Sequence, residues 1–478
     1  MITEEKESIN IFKLMLALLA ACVAFQLNAS MLSPVLVTIA VELKSNDVAV
    51  GLSQTAFFTS AALFSLFLPR LSDIVGRKKI TNWMLIIMIV GTVISALSTN
   101  IIMLYAGRII QGVCGPVVAI CLMMLKSQVK DIKQYGMLMG VITAVNGGIA
   151  GIDAILGGVL AQHFGFRSVF WFIGAVSVLS VFLVSRFATE SRPSPDIKMD
   201  WLGSSLLVIS IGSLLLALNE ASKLSSASLS LIVCLVFAAT IAFLLFWNTE
   251  KKSHSPLVSV DYLKRRSTWS LLLTTTLTMT GIFAVINGLV MSYVQNRDIG
   301  FSLTADWAGL LLLTPYALAG WLVGPFSGRL APVIGYANVL KIGLSGSAIF
   351  IAVIATVGIH SLTVLVITVV AIGVTYAGMA NIMLNGLAIV LSPKDNLGFL
   401  PGLNAGAFNL GAGLSFALLP AIQFFFEQKD GSVLGGYTAG IYAGLFITVL
   451  ALMNSFLIPR PVEAEVAAAD NVPLSKVG

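Results

Sequence analysis

Arg108 and Asp153 are the side chains of this sequence best placed to do chemistry, because each is an ionisable group set inside an otherwise apolar stretch. Arg108 lies in Leu104-Tyr105-Ala106-Gly107-Arg108-Ile109-Ile110-Gln111-Gly112. Its guanidinium keeps its charge at physiological pH, so it must face a wet cavity or an anionic partner, or tether neighbouring helices through their carbonyls. Asp153 lies among Gly147, Gly148, Gly151, Gly157 and Gly158, whose small size lets helices approach closely. At 1.5 Å per residue, both charges fall roughly 10 to 12 Å from the same end of their helices. Two readings stay open. The carboxyl titrates as the pair forms and breaks, exchanging substrate for proton at one site, or the pair is fixed and only holds two helices together.

A third charged feature is the loop Pro69-Arg70-Leu71-Ser72-Asp73-Ile74-Val75-Gly76-Arg77-Lys78-Lys79 between two apolar runs. Its cations belong at a membrane face; Gly76 permits a tight turn and Arg77 can neutralise Asp73. Weaker candidates for a substrate cavity are Gln26, Asn28, Gln111, Asn146, Asn287, Tyr293, Tyr316, Tyr376, Asn381, Asn385, Asn404 and Phe408. Each alone is more often an interhelical hydrogen bond or a packing residue. His163, His254 and His360 are isolated, which argues against a metal site or a catalytic dyad. No Gly-x-x-x-x-Gly-Lys loop for ATP, no cofactor motif and no basic run interleaved with aromatics for nucleic acid is present.

The elements that must position these residues are membrane helices. Hydrophobic residues make up 57% and charged residues 10%, and mean hydropathy is +0.96, far from a soluble protein. The polar punctuation predicts an all-α polytopic chain of fourteen spans in the lipid bilayer. Of 28 Lys and Arg, only Lys44, Arg167, Lys223, Arg297 and Lys429 fall in the loops opposite the termini, which predicts both ends in the cytoplasm. Two proline-rich or charged segments, Arg186 to Asp200 and Glu250 to Arg266, divide the chain. The expected domains are a six-helix bundle over 1–190, a linker with two additional helices over 191–266, a second six-helix bundle over 267–460 and a disordered cytoplasmic tail over 461–478. Cys22, Cys114, Cys121 and Cys234 lie in apolar runs and read as packing residues.

The loop order Leu-x-Asp-x-x-Gly-Arg-Lys resembles that between the second and third spans of major facilitator superfamily transporters, with Pro69 and Ile74 as departures from the family's Gly and Arg. Arg108-Ile109-Ile110-Gln111-Gly112 is similar to the family's Arg-x-x-Gln-Gly. The six-two-six pattern, with Met199-Asp200-Trp201-Leu202-Gly203 and Ser255-Pro256-Leu257, resembles the fourteen-span drug/proton antiporters. The resemblance implies a major facilitator fold, a conformational latch at Asp73, Gly76 and Arg77 between the halves, and a role for Arg108 in proton movement. The alternative for the loop is topology alone. Gly328-Arg329-Leu330-Ala331-Pro332-Val333-Ile334-Gly335 looks like a degraded second copy, with Pro332 at the Asp position.

Two departures bear on coupling. Leu27-Asn28-Ala29-Ser30 resembles the family's Leu-Asp-x-Thr with an amide in place of the acid, and Asp153 stands where the antiporter motif has a Gly. The expectation is that Asp153 supplies the charge Asn28 lacks and sits near Arg108. The functional reading is a monomeric, proton-coupled exporter of small amphiphilic organic compounds, of multidrug type, in the inner membrane, working by alternating access. The alternatives are an exporter dedicated to one metabolite, such as a siderophore or signalling molecule, and a facilitator without proton coupling. A lipid-active enzyme would need a cluster of His or carboxylates at one interface, and none is found.

Overall fold

A computed structural model describes residues 11–129, 132–191, 199–221, 227–252, 260–392 and 399–460, and no strand occurs among the described residues. In the first half the helices are α1 (Ile11–Ser30), α2 (Leu36–Glu42), α3 (Asp47–Val75), α4 (Arg77–Ala96), α5 (Ile101–Gln111), α6 (Val117–Gln128), α7 (Ile132–Phe164) and α8 (Phe166–Phe187). Then come α9 (Trp201–Ala221), α10 (Leu229–Lys252) and the short α11 (Val260–Lys264). The second half holds α12 (Arg266–Ala284), α13 (Met291–Gln295), α14 (Ala305–Ala308), α15 (Thr314–Ile334), α16 (Tyr336–Thr356), α17 (Leu362–Ile372), α18 (Asn381–Val390), α19 (Phe399–Asp430) and α20 (Val433–Ser455).

Among the described residues twelve helical stretches are long and apolar enough to cross a membrane, against an expected fourteen. The two expected spans outside that count are α7, a 33-residue helix several of whose side chains lie outside the described residues, and α9. The apolar part of α9 is Trp201–Ala217, and Asn219 and Glu220 end it. Other expected spans are single in sequence but broken in structure. The first stops at Ser30, turns through a 3-10 segment at Ser33–Val35 and resumes as α2, because Pro34 has no N–H to continue the ladder. The expected helix over 101–126 breaks at Gly112–Cys114, just before Pro116.

Helix starts are set by short polar side chains and by glycine. Asn46 accepts from Ala49 N at 2.8 Å and Asn100 from Met103 N at 2.9 Å, each satisfying an orphan donor of its helix. Gly76 (φ +115°) and Gly165 (φ +76°) make the corners before α4 and α8 in a region that side chains rarely adopt.

Helices α1 to α8 pack mainly on one another, as do α12 to α20. The halves meet along α3 with α19 and along α7 with α14 and α15. The pair α9–α10 packs together, and Leu207 and Phe246 gather Leu66 of α3 and Leu403 of α19, so it touches both halves at that seam. The segments 192–198, 253–259 and 461–478, which carry parts of the expected linker and tail, lie outside the described residues.

Candidate functional site

The site is organised by α1, whose polar residues each meet a different partner. Arg108 of α5 is fully buried and its fork spans three acceptors: the Asn28 carbonyl at 3.1 Å, Gln111 Oε1 at 2.8 Å, and Gln54 Oε1 of α3. The guanidinium carbon lies 4.1 Å from the centre of the Phe57 ring, a cation–π contact in a dry setting. Gln111 passes the chain on by donating to Thr92 Oγ1 of α4 at 2.9 Å. The backbones come close enough for this because Gly107 and Gly91 face each other; a Cβ on Gly91 would stand 2.7 Å from the Gly107 carbonyl.

Asp153 of α7 meets α1 two residues further on, at Ser30. It is 2% exposed; Oδ2 accepts from Ser30 Oγ at 2.5 Å, and Oδ1 is buried without a hydrogen-bond partner. Ser30 also lies 3.0 Å from the Gln26 carbonyl and accepts from Gln26 Nε2 at 3.1 Å. The structure therefore corrects the expected Arg108–Asp153 pair: no ion pair between them occurs among the described residues, and the two are linked through α1 at Asn28 and Ser30. Equal depth along two helices does not fix which face of a helix a side chain leaves from.

On α7, the glycines beside Asp153 form a seam with the second half. Thr314 Oγ1 of α15 donates to the Gly151 carbonyl at 2.7 Å, and a Cβ on Gly151 would come 2.7 Å from that of Ala317. Gly158 lies equally close to the backbone of Ala305 and Asp306. Also between the halves, Ser33 donates to Asn287 Oδ1 at 3.3 Å, and Phe58 packs edge-on to Phe283 and stacks with Phe416.

In the loop, Asp73 pairs with Arg77 as its position suggested. Asp73 Oδ1 accepts from Arg77 Nε at 3.0 Å and Nη2 at 2.9 Å, and Arg77 Nη1 donates to the Met123 carbonyl of α6 at 2.8 Å. These bonds stay inside the first half. Glu190, which follows α8, accepts from Lys78 N at 3.0 Å and Lys79 N at 3.1 Å, capping α4. Gly76 is required twice over, by its φ and because a Cβ would lie 2.6 Å from Glu190 Oε1. Glu42 repeats the device, accepting from Phe166 N at 3.0 Å and Arg167 Nη1 at 3.1 Å, with Gly165 beside it.

Cavity candidates in the second half form separate neutral contacts. Asn404 accepts from Thr275 at 2.7 Å, Asn385 donates to Asn381 Oδ1 at 3.1 Å, and Tyr376 donates to Met279 Sδ at 2.8 Å. Tyr316 is buried and Phe408 half-buried. Tyr293 is spent elsewhere, its hydroxyl bonding the Ile299 and Ile359 carbonyls of connecting segments. The side chain of Asn146 lies outside the described residues. Gln54, Phe57, Ser30, Glu190 and Glu42 were missed. Gln54, an amide inside an apolar run, was the one with a visible signal.

Helical halves joined along two seams, with a buried cation and a buried carboxyl on either side of the first helix, define a membrane transporter. Residues 17–416 match the Major Facilitator Superfamily, and the chain belongs to it. It is 48% identical over 456 residues, 94% of this chain and 95% of the other, to the uridine/deoxyuridine transporter of Lactococcus lactis subsp. cremoris (strain MG1363). The quinolone resistance protein NorB of Staphylococcus aureus (strain bovine RF122 / ET3-1) is 24% identical, covering 94% and 96% of the chains. Among solved structures, a POT family transporter in complex with 5-aminolevulinic acid superposes with a TM-score of 0.68 at 13% identity, covering 93% and 96%. The chain is thus a multi-pass transporter of a small molecule and not an enzyme.

The expectation of multidrug efflux is overturned by the Lactococcus relative, which is twice as similar as NorB over the same span. The metabolite-exporter and uncoupled-facilitator alternatives gain no support either. The misleading signals, the six-two-six pattern and the loop phrases, concern architecture.

Proposed function

We propose that this protein carries pyrimidine nucleosides of the uridine type into the cell, with a proton travelling alongside through Asp153. The observation that carries the reading is the 48% identity to a uridine/deoxyuridine transporter across nearly the whole of both chains. The chemistry agrees. A nucleoside is neutral, and a uracil ring offers an imide N–H between two carbonyls, which amide side chains match with paired donors and acceptors. Asn381, Asn385 and Gln26 are half-buried amides of that kind. Asp153 suits the proton because it is buried, has a partnerless oxygen and has no cation within ion-pair distance among the described residues.

We read the chain as fourteen spans, α7 and α9 being added to the twelve counted, in two six-helix bundles over 1–190 and 267–460 and a linker with α9 and α10 over 191–266, as a monomer in the cell membrane with both termini cytoplasmic. In that orientation the contacts of Ser33 with Asn287 and of Gly158 with Ala305 close the outer end. The Asp73–Arg77 pair then holds α3 to α4 and α6, and re-pairs across the halves when the inner end closes.

Purified protein in proteoliposomes tests this directly. Labelled uridine should exchange with internal uridine at equal pH, be displaced by deoxyuridine, and accumulate when the outside is acid. Absence of uridine exchange in active vesicles would falsify the nucleoside reading; exchange without acid-driven accumulation would remove the proton.

A further inference from the structure

Resting on that reading, we infer that Ser30 is the positioning residue that couples proton and nucleoside, its single hydroxyl being shared between Asp153 and Gln26. Ser30 Oγ has Asp153 Oδ2 at 2.5 Å, the backbone carbonyl of Gln26 at 3.0 Å and the side-chain Nε2 of Gln26 at 3.1 Å. A hydroxyl has one hydrogen to give and two lone pairs to receive with. All three contacts are hydrogen bonds together in only one arrangement: Asp153 carries the proton and donates, Gln26 Nε2 donates, and Ser30 donates to the Gln26 carbonyl. When Asp153 gives its proton up, the Ser30 hydrogen must turn to the carboxylate and the bond to the Gln26 carbonyl is lost. The proton leaves the carboxyl oxygen and the hydroxyl hydrogen stays on Ser30, so nothing else is gained or lost.

Gln26 is the outlet of this chain. Phe12, Leu16, Leu19, Val23 and Gln26, exposed or half-exposed, share one face of α1 with the buried Ser30, while Ile11, Lys13 and Ala20 are exposed or half-exposed off it; beyond the end of α1, Ser33 meets Asn287 of the second half. Gln26 therefore stands where the space between the halves closes. Its Oε1 and second N–H are an acceptor and donor pair for the uracil imide, and Ser30 holds the amide in the orientation that presents them. The other titratable groups on elements packed against α7 are placed elsewhere. Lys13, Lys126 and Arg186 lie near helix ends, Arg329 in the last two turns of α15, and Cys22 and Cys121 inside the first half. Arg167 is bound to Glu42 and Asp306 to Thr304, His163 is in the last turn of α7, and Tyr316 lies with its backbone against Gly373.

The test is the ratio of acid-driven uridine accumulation to uridine exchange at equal pH, in wild type, Ser30→Ala and Ser30→Thr. Ser30→Ala should lower the ratio by about tenfold, the worth of a hydrogen bond to a charged group, and raise KM in exchange, while Ser30→Thr restores the ratio. An unchanged ratio in Ser30→Ala overturns the inference, as does a lowered ratio that threonine does not restore. If the alanine protein is lost in purification, Ser30→Cys, similar in size and a weak donor, stands in for it with the same outcomes. Wild-type exchange is the separate check: its absence removes the nucleoside reading, whereas its presence with an unchanged ratio removes only Ser30.

Discussion

The turns before α4 and α16 begin alike and end differently. Gly76 (φ +115°, ψ +131°) and Gly335 (φ +92°, ψ +135°) occupy the same unusual backbone region at the same point of the repeat. In the first half the turn receives Glu190 on the new helix and an Asp73–Arg77 pair beneath it. Among the described residues the second half supplies neither, and Pro332 replaces the Asp. The contrast runs deeper. Buried charges near the middle of the membrane helices, Arg108 and Asp153, belong to the first half, whereas the buried polar residues of α12 to α20 are Ser, Thr, Asn and Gln. Conversely, the three π-helical turns described, Val285–Val290, Gly309–Leu313 and Gly373–Ala380, are all in the second half. Such turns are rare and concentrate at functional sites, because a wider turn offsets a helix and loosens its ladder locally. One half is held by charge, the other is neutral and carries the wider turns. These two characters are divided between the repeats.

The largest effect should come from Arg108→Ala. Removing the fork leaves Gln54 Oε1, Gln111 Oε1 and the Asn28 carbonyl without their donor in a dry interior, a cost on the order of 3 kcal/mol or more. Arg108→Lys should recover only part, since a point ammonium cannot span acceptors on three helices. The matched change in the neutral half, Asn404→Ala, loses the bond from Thr275 and should cost about 1 kcal/mol. Thermal unfolding in detergent reads both, and equal shifts would erase the contrast between the halves.

Next comes a change with no stability cost. Asp153→Asn keeps the shape and can still bond Ser30, so unfolding should be unaltered while acid-driven accumulation falls to simple equilibration. Uridine exchange at equal pH should persist. If accumulation survives in Asp153→Asn, the division of labour is wrong at its centre, because no other buried carboxyl faces α1 among the described residues.

How much of this was legible follows from the same residues. Arg108, Asp153 and the Asp73 loop stood out because an ionised group in an apolar run has few explanations. Their partners did not. Arg108 bonds across three helices, and Glu190 reaches α4 from more than a hundred positions away, contacts that no local spacing encodes. The helical class was fixed by composition, but the breaks at Ser33–Val35 and Gly112–Cys114 were missed although Pro34 and Pro116 mark them, because the apolar runs resume directly on the far side. The π turns have no signature in residue type: Gly309-Leu-Leu-Leu-Leu313 reads as ordinary helix. Substrate was the least legible: no residue pattern pointed to the nucleoside-transporting relative, and the antiporter phrases pointed away from it.

The smallest effect isolates the repeat itself. Gly76→Ala and Gly335→Ala each force a side chain into a region that is nearly glycine-only, at about 1–3 kcal/mol. At Gly76 the added methyl also meets Glu190 Oε1 at 2.6 Å and should push the carboxylate off the N–H groups of Lys78 and Lys79. Bonds to a charged acceptor are worth more than neutral ones, and partial exposure reduces that, so the excess over Gly335→Ala should be about 1 kcal/mol. A double-mutant cycle separates the two contributions. In a Glu190→Ala background there is no cap left to displace, so Gly76→Ala should cost no more than Gly335→Ala does. If the excess persists without Glu190, the difference between the turns lies in backbone packing, and the acidic cap is incidental to what distinguishes the halves.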